Sequence, residues 1–127
     1  MAFSSTVTLT NHGGRKYTVK IQTTEDDGTA ETAITGLPLC GTLLSQMGQL
    51  HSGTGTTIDP ILGTATDPAT NYNNIVIANG TAAAGISNLA SPAIRYATTD
   101  GTLYARSVCD AGADNVVEIT LVIMAGW

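Results

Sequence analysis

Large aromatic side chains are nearly missing from this chain: one Trp, one Phe and four Tyr amount to 5% of its residues. Anchors for a core or an interface therefore come from Val, Ile, Leu and Ala. A domain built this way gains much by burying further apolar surface against a partner. Charge is scarce as well. Lys, Arg, Asp and Glu make up 12% of the chain, roughly half the usual share, and their balance is −5. Only Arg15, Lys16 and Lys20 lie close together, so the clustered cations that a phosphate backbone requires are missing. No nucleic-acid partner is expected. No apolar run approaches membrane-spanning length, and no membrane partner is expected either.

Catalytic signatures are equally absent. There is no Gly-x-Ser-x-Gly elbow and no phosphate loop closed by Lys-Ser or Lys-Thr. Neither Cys40 nor Cys109 belongs to a Cys-x-x-Cys pair, and no His-x-x-x-His spacing starts a zinc site. The two cysteines fit one disulfide or two buried thiols, and their spacing leaves both open. His12 sits in a glycine turn and His51 beside a glycine-rich loop, the positions of solvated histidines. Glu25-Asp26-Asp27-Gly28 gathers three carboxylates, but contiguous side chains in an extended turn splay apart, whereas calcium loops converge alternate ones. An ordinary acidic turn is expected there. The expectation is a non-enzyme with no catalytic residue, no cofactor and no metal.

What the chain does carry is Thr, Ser, Asn and Gly around short apolar alternations. Thr6-Val7-Thr8-Leu9-Thr10 sorts apolar from polar with a period of two. Asn11-His12-Gly13-Gly14 follows as a turn, and Tyr17, Val19 and Ile21 then alternate with Thr18, Lys20 and Gln22. Strand, tight turn, strand is the expectation. Leu39, Leu43, Leu44, Met47 and Leu50 fall at spacings of three and four, which predicts a short helix on a sheet face within residues 37–50. From Ser52 to Asn74, turn formers crowd together, among them Asp59-Pro60, Asp67-Pro68 and Asn71-Tyr72-Asn73-Asn74. A long ordered loop is predicted there, pinned by Ile58, Ile61 and Leu62. Ile75-Val76-Ile77-Ala78 reads as a strand ended by Asn79-Gly80. Residues 94–108 read as a hairpin about Asp100-Gly101. The favoured two-residue turn puts Ile94, Tyr96, Leu103 and Ala105 on one face and sets Arg95 opposite Arg106; a three-residue turn would separate the arginines.

The end of the chain is apolar on both sides of a strand. Val117, Ile119, Leu121 and Ile123 line one face, and Val116, Val122 and Met124 make most of the other. A strand of that kind is buried on both sides, and in so short a chain the second cover is its own loops or another subunit. Trp127, the only tryptophan, suits docking better than free exposure. The reading is a single domain over residues 1–127: mainly β, an antiparallel sheet, sandwich or small barrel with one short helix and one long ordered loop. Candidate interface residues are Ile58, Ile61, Leu62, Tyr72, Val116, Val122, Met124 and Trp127.

In style the whole chain resembles bacteriophage virion structural proteins, and most of all capsid decoration (cement) proteins. The likeness lies in Thr/Gly/Ala-rich strands, low charge, glycine turns such as Asn79-Gly80 and Asp100-Gly101, and the ending Glu118-Ile-Thr-Leu-Val-Ile-Met-Ala-Gly-Trp127. The resemblance implies a homo-oligomer, a trimer, that clamps the major capsid protein or another virion protein on the outside of the head. Met1-Ala2-Phe3-Ser4-Ser5 has no basic stretch followed by an apolar one. The expectation is therefore a protein made in the host cytoplasm and placed in the virion. An acidic balance suits an outer rather than a genome-facing protein. Other readings are a tail-tube, neck or fibre subunit, and a carbohydrate-binding β-domain, for which this chain has few aromatics to stack on sugars.

Overall fold

A computed structural model describes residues 4–25, 28–53, 57–64, 75–78, 82–83, 88–90, 93–109 and 115–126. Eleven strands occupy nearly all of them, and no described residue is helical. They are β1 (Ser4–Asn11), β2 (Lys16–Glu25), β3 (Gly28–Ile34), β4 (Cys40–Ser52), β5 (Thr57–Gly63), β6 (Ile75–Ala78), β7 (Ala82–Ala83), β8 (Asn88–Ala90), β9 (Ile94–Ala97), β10 (Leu103–Cys109) and β11 (Asn115–Ala125). The chain is mainly β. Its strands form two antiparallel sheets. Sheet A runs β1-β2-β11-β4, with β8 and β9 following one another along the far side of β4; sheet B runs β3-β10-β5, with β6 and β7 along the far side of β5. Two separate ladders make a sandwich, and the barrel alternative falls away.

The first hairpin forms as its pattern predicts. β1 and β2 pair in unbroken register from Ser4↔Thr24 to Asn11↔Tyr17. Gly13 and Gly14 take φ of +90° and +61° in the turn, values that side chains resist. The Gly13 N–H donates to Asn11 Oδ1 at 2.9 Å. Arg15 is exposed yet donates from Nε to the Ala125 carbonyl at 2.7 Å, tying the turn to the end of β11.

Three expectations fail, each for a physical reason. Residues 40–52 form the long strand β4, with no helix. Between Val122 and Ile123 the β11–β4 register skips Leu44, and the extra residue shifts the alternation so that Gly41, Leu43, Gln46 and Gly48 face inward. A bulged strand thus imitates helical spacing, while Leu39 and Leu44 lie outside. Within the predicted long loop over 52–74, residues 57–63 form β5, while 54–56 and 65–74 lie outside the described residues; Pro60 is tolerated because no described residue pairs with it on the second edge of β5. β7 pairs Thr57 and Ile58, β6 pairs Ile61 to Gly63, and the gap between them tolerates a residue without an N–H. Finally, β9 and β10 are not a hairpin: β9 pairs β4 in sheet A, and β10 pairs β3 and β5 in sheet B. The Asp100-Gly101 turn carries the chain from one sheet to the other. Gly101 has φ +74°, and a Cβ there would stand 2.5 Å from the Leu37 carbonyl oxygen. Ile94, Tyr96, Leu103 and Ala105 do meet, but from opposite sheets across the core. Arg95 and Arg106 then belong to different sheets.

The core between the sheets is aliphatic. Val19, Ile21, Ile34, Leu43, Leu62 and Leu121 are among its fully covered members. Tyr96 is buried as well and donates its hydroxyl to the Pro38 carbonyl at 3.2 Å; burial, with smaller contributions from Cys40 and Tyr17, pushes its pKa up to about 12. Cys40 is a free thiol, and the side chain of Cys109 lies outside the described residues. Two polar residues are fully covered among those described, Asn115 and Gln46, and Gln46 Nε2 donates to the Pro60 carbonyl at 3.2 Å. Next to it, Gly48 lets the sheets close on each other, since a Cβ there would stand 2.9 Å from Pro60 Cγ.

Candidate functional site

The described ones among the expected interface residues do not converge. Ile58 and Leu62 on β5 are core residues, Ile58 packing with Val117 and Leu50, and Leu62 with the main cluster. Ile61 is only 7% exposed. These three are covered by the protomer itself, because the segment expected to be a loop is a strand inside the sandwich. Tyr72 and Trp127 lie outside the described residues. Val116, Val122 and Met124 are half-buried on the outward face of β11. β11 itself needs less outside help than its composition suggests. β2 and β4 hold its two edges along its length, and Val117, Ile119, Leu121 and Ile123 are sealed by sheet B and the core.

Two surface features remain as candidates, both on sheet A. The first is the outward face. A rung of residues crosses it from β1 to β4 as Thr6–Gln22–Glu118–Gln49. Glu118 lies at its centre and is 8% exposed. Its Oε2 accepts a 2.7 Å hydrogen bond from Gln22 Nε2. Lys20 Nζ stands 3.9 Å from Oε1 and His51 Nδ1 4.0 Å from Oε2. His51 arrives there through a second β4 bulge, between Val116 and Val117 in the register, where Ser52 and Leu50 oppose successive β11 residues. Bulges re-aim side chains in this way. The sequence hides this cluster because its members lie on three strands. Chemically it is an acceptor already engaged from both sides, which ties β2, β11 and β4 together across an exposed face.

The second feature is the outer edge of β1. Val7 and Leu9 point to the same side as their partners Ile21 and Val19, which are core residues. Yet Val7 is 38% and Leu9 37% exposed, on the strand that ends sheet A. Rows of threonine, Thr6, Thr8 and Thr10, face the other way. Nothing in the alternation of Val7 and Leu9 told an edge strand from an inner one.

Sheet B carries a smaller polar spot. Burial raises the Asp59 carboxyl above its ordinary 3.8, with Arg106 acting in the opposite sense. Asp59 Oδ1 is buried and has no hydrogen-bond partner. Among the described residues no group of three His, Cys, Asp or Glu side chains is placed to hold a metal ion, and no helix is long and apolar enough to cross a membrane.

No family model and no curated protein sequence matches the chain. Among solved structures, a CBM4 protein is similar over 94% of this chain and 78% of its own, at 12% identity and a TM-score of 0.40. The K1 cleaved adhesin domain of Lys-gingipain from Porphyromonas gingivalis W83 aligns over 98% of this chain and 91% of that one, at 10% identity and a TM-score of 0.42. A carbohydrate-binding module of the β-sandwich superfamily is matched over 94% of this chain and about half of its own length (51%), at 13% identity and a TM-score of 0.43.

Proposed function

We propose that this chain is a non-enzymatic structural module that works by associating with copies of itself and with a larger protein surface. On its resemblance to capsid decoration proteins, we place it on the exterior of a virion head, held against the major capsid protein. The observation that supports association is the end of sheet A, where Val7 and Leu9 stand more than a third exposed on a strand with no partner on its outer side among the described residues. Exposed apolar residues beside unpaired backbone are a standing template for another chain. The lack of any charge on that strand fits a surface meant to be covered. Repetition by symmetry allows many such modest contacts to hold a lattice.

The test is stoichiometry. In particles purified from the source, quantitative mass spectrometry is expected to find this chain at a copy number comparable with the major coat subunit. A handful of copies per particle moves it to the neck or tail, and absence from particles removes the virion assignment. A glycan array with strong, competable hits would replace the reading with a carbohydrate-binding one.

A further inference from the structure

Edge strands are normally guarded by shortness, charge, proline or a bulge, because an open row of N–H and C=O groups invites pairing. Most described edges of this sandwich are guarded. β8 and β9 have three and four residues, and β9 carries Arg95. β6 and β7 have four and two. β3, at the end of sheet B, carries Glu31. β1 is the exception. It runs eight residues, Ser-Ser-Thr-Val-Thr-Leu-Thr-Asn, without a charge or a proline, and its register with β2 is unbroken.

The phase of its hydrogen bonds decides what the open side offers. His12 N–H donates to the Lys16 carbonyl at 3.0 Å, on the rung next to Asn11↔Tyr17. Hydrogen-bonded and non-hydrogen-bonded pairs alternate along an antiparallel ladder. The even-numbered residues of β1 therefore bond to β2, and Ser5, Val7, Leu9 and Asn11 aim their N–H and C=O outward. The same odd-numbered residues carry the exposed apolar side chains. Backbone valence and apolar surface thus coincide on one set of positions.

We infer that β1 pairs antiparallel with β1 of a second copy of this chain about a two-fold axis at Thr8, joining two A sheets into one. That register sets Val7 opposite Leu9 of the second copy, Leu9 opposite its Val7, and Thr6 opposite its Thr10. All four apolar side chains meet, and every hydrogen-bonded rung falls on outward-facing residues. Centring the pair on Val7 instead leaves Leu9 opposite Ser5, and centring it on Leu9 leaves Val7 opposite Asn11. Because the strand is uncharged, two copies meet without like charges opposed, and cross-strand Thr–Thr and aliphatic pairs favour the contact. An isologous contact of this kind is self-complementary and closed. It yields pairs, in place of the three-fold ring implied by the resemblance.

This inference rests on the self-association half of the proposed function and names its surface. The isolated full chain is examined by sedimentation equilibrium, where the wild type is expected to pass from monomer to dimer as concentration rises. Val7→Pro removes an outward N–H and none of the β1–β2 bonds. It is expected to abolish the dimer and leave the thermal unfolding of dilute monomer nearly unchanged; Thr8→Pro, which breaks an internal bond, lowers it. In mild oxidant, T8C is expected to form a covalent dimer well above the wild-type background, because its two sulfurs face each other across the axis on a close, non-hydrogen-bonded rung. V7C and L9C are not. A wild type that stays monomeric to millimolar concentration overturns the inference, as does a dimer that survives Val7→Pro, or cross-linking stronger in L9C than in T8C. A two-fold dimer of a chain absent from particles would uphold this pairing and remove only the virion assignment.

Discussion

β1 and β11 are both alternating strands of the same sheet, and their fates differ. β11 is the more apolar, with Val, Ile, Leu or Met at seven of its eleven positions, yet its inner residues are fully covered and both of its edges are bonded. β1 has only Val7 and Leu9, yet these stand exposed beside an open edge. Place in the sheet outweighs composition. A greasy central strand is satisfied by its neighbours, while a mild strand at the rim is left with valences to fill.

Paired truncations put the largest strain on this contrast. Leu121→Ala empties a fully buried site and is expected to cost about 3 kcal/mol in urea unfolding. Leu9→Ala in dilute monomer is expected to cost less than about 1 kcal/mol, since part of its surface already meets water. Equal costs would erase the distinction between centre and rim. Gly48→Ala sharpens it from the neighbouring strand. With Pro60 Cγ at 2.9 Å from the added methyl, overpacking is expected to cost about 2 kcal/mol, whereas Thr8→Ala on the open face of β1 stays within about 0.5 kcal/mol. Thermal unfolding of the two variants side by side measures this.

Smaller effects come from the polar groups. Glu118→Gln keeps an acceptor for Gln22 and loses the pairing with Lys20 and His51, whose side chains are largely exposed. A cost of about 0.5 kcal/mol is expected, shrinking with added salt. A cost that salt leaves untouched would mean the carboxylate is held by something other than those charges. The smallest effect belongs to Asp59, whose folded carboxyl titrates above its unfolded one because burial disfavours the charge. Its favourable contribution is complete below pH 3.8 and is lost as pH rises through the folded value. Relative to wild type, Asp59→Asn is therefore expected to gain stability between acid and neutral pH. A difference between the two that is flat with pH would contradict that sign.

The β1–β2 hairpin was legible from its period-two alternation around Gly13 and Gly14, and the short β6 and the terminal β11 from apolar runs bounded by turn formers. β4 was not, because the skip at Leu44 turned an alternating strand into something with helical spacing. β5 was not, because Asp59-Pro60 reads as a turn unless the strand's second edge, where no described residue pairs with Pro60, is known. The crossing at Gly101 was located but not understood, since whether two strands pair with each other or with separate sheets is a tertiary fact. The site was least legible. Glu118, Gln22 and His51 lie far apart in the chain, and Val7 and Leu9 look like any half-buried pair until the strand order puts them at the rim.

The order of sheet A has one more consequence, for the timing of folding. β2 and β4 are never bonded to each other; they are bridged by β11, which the ribosome makes long after both. Until that strand emerges, the β1–β2 hairpin and β4 wait with bare flanks, and such late, long-range closure is slow and exposed to wrong pairings. A nascent chain halted before Asn115 would hold two unfinished half-sheets, and these are what a chaperone would find to bind.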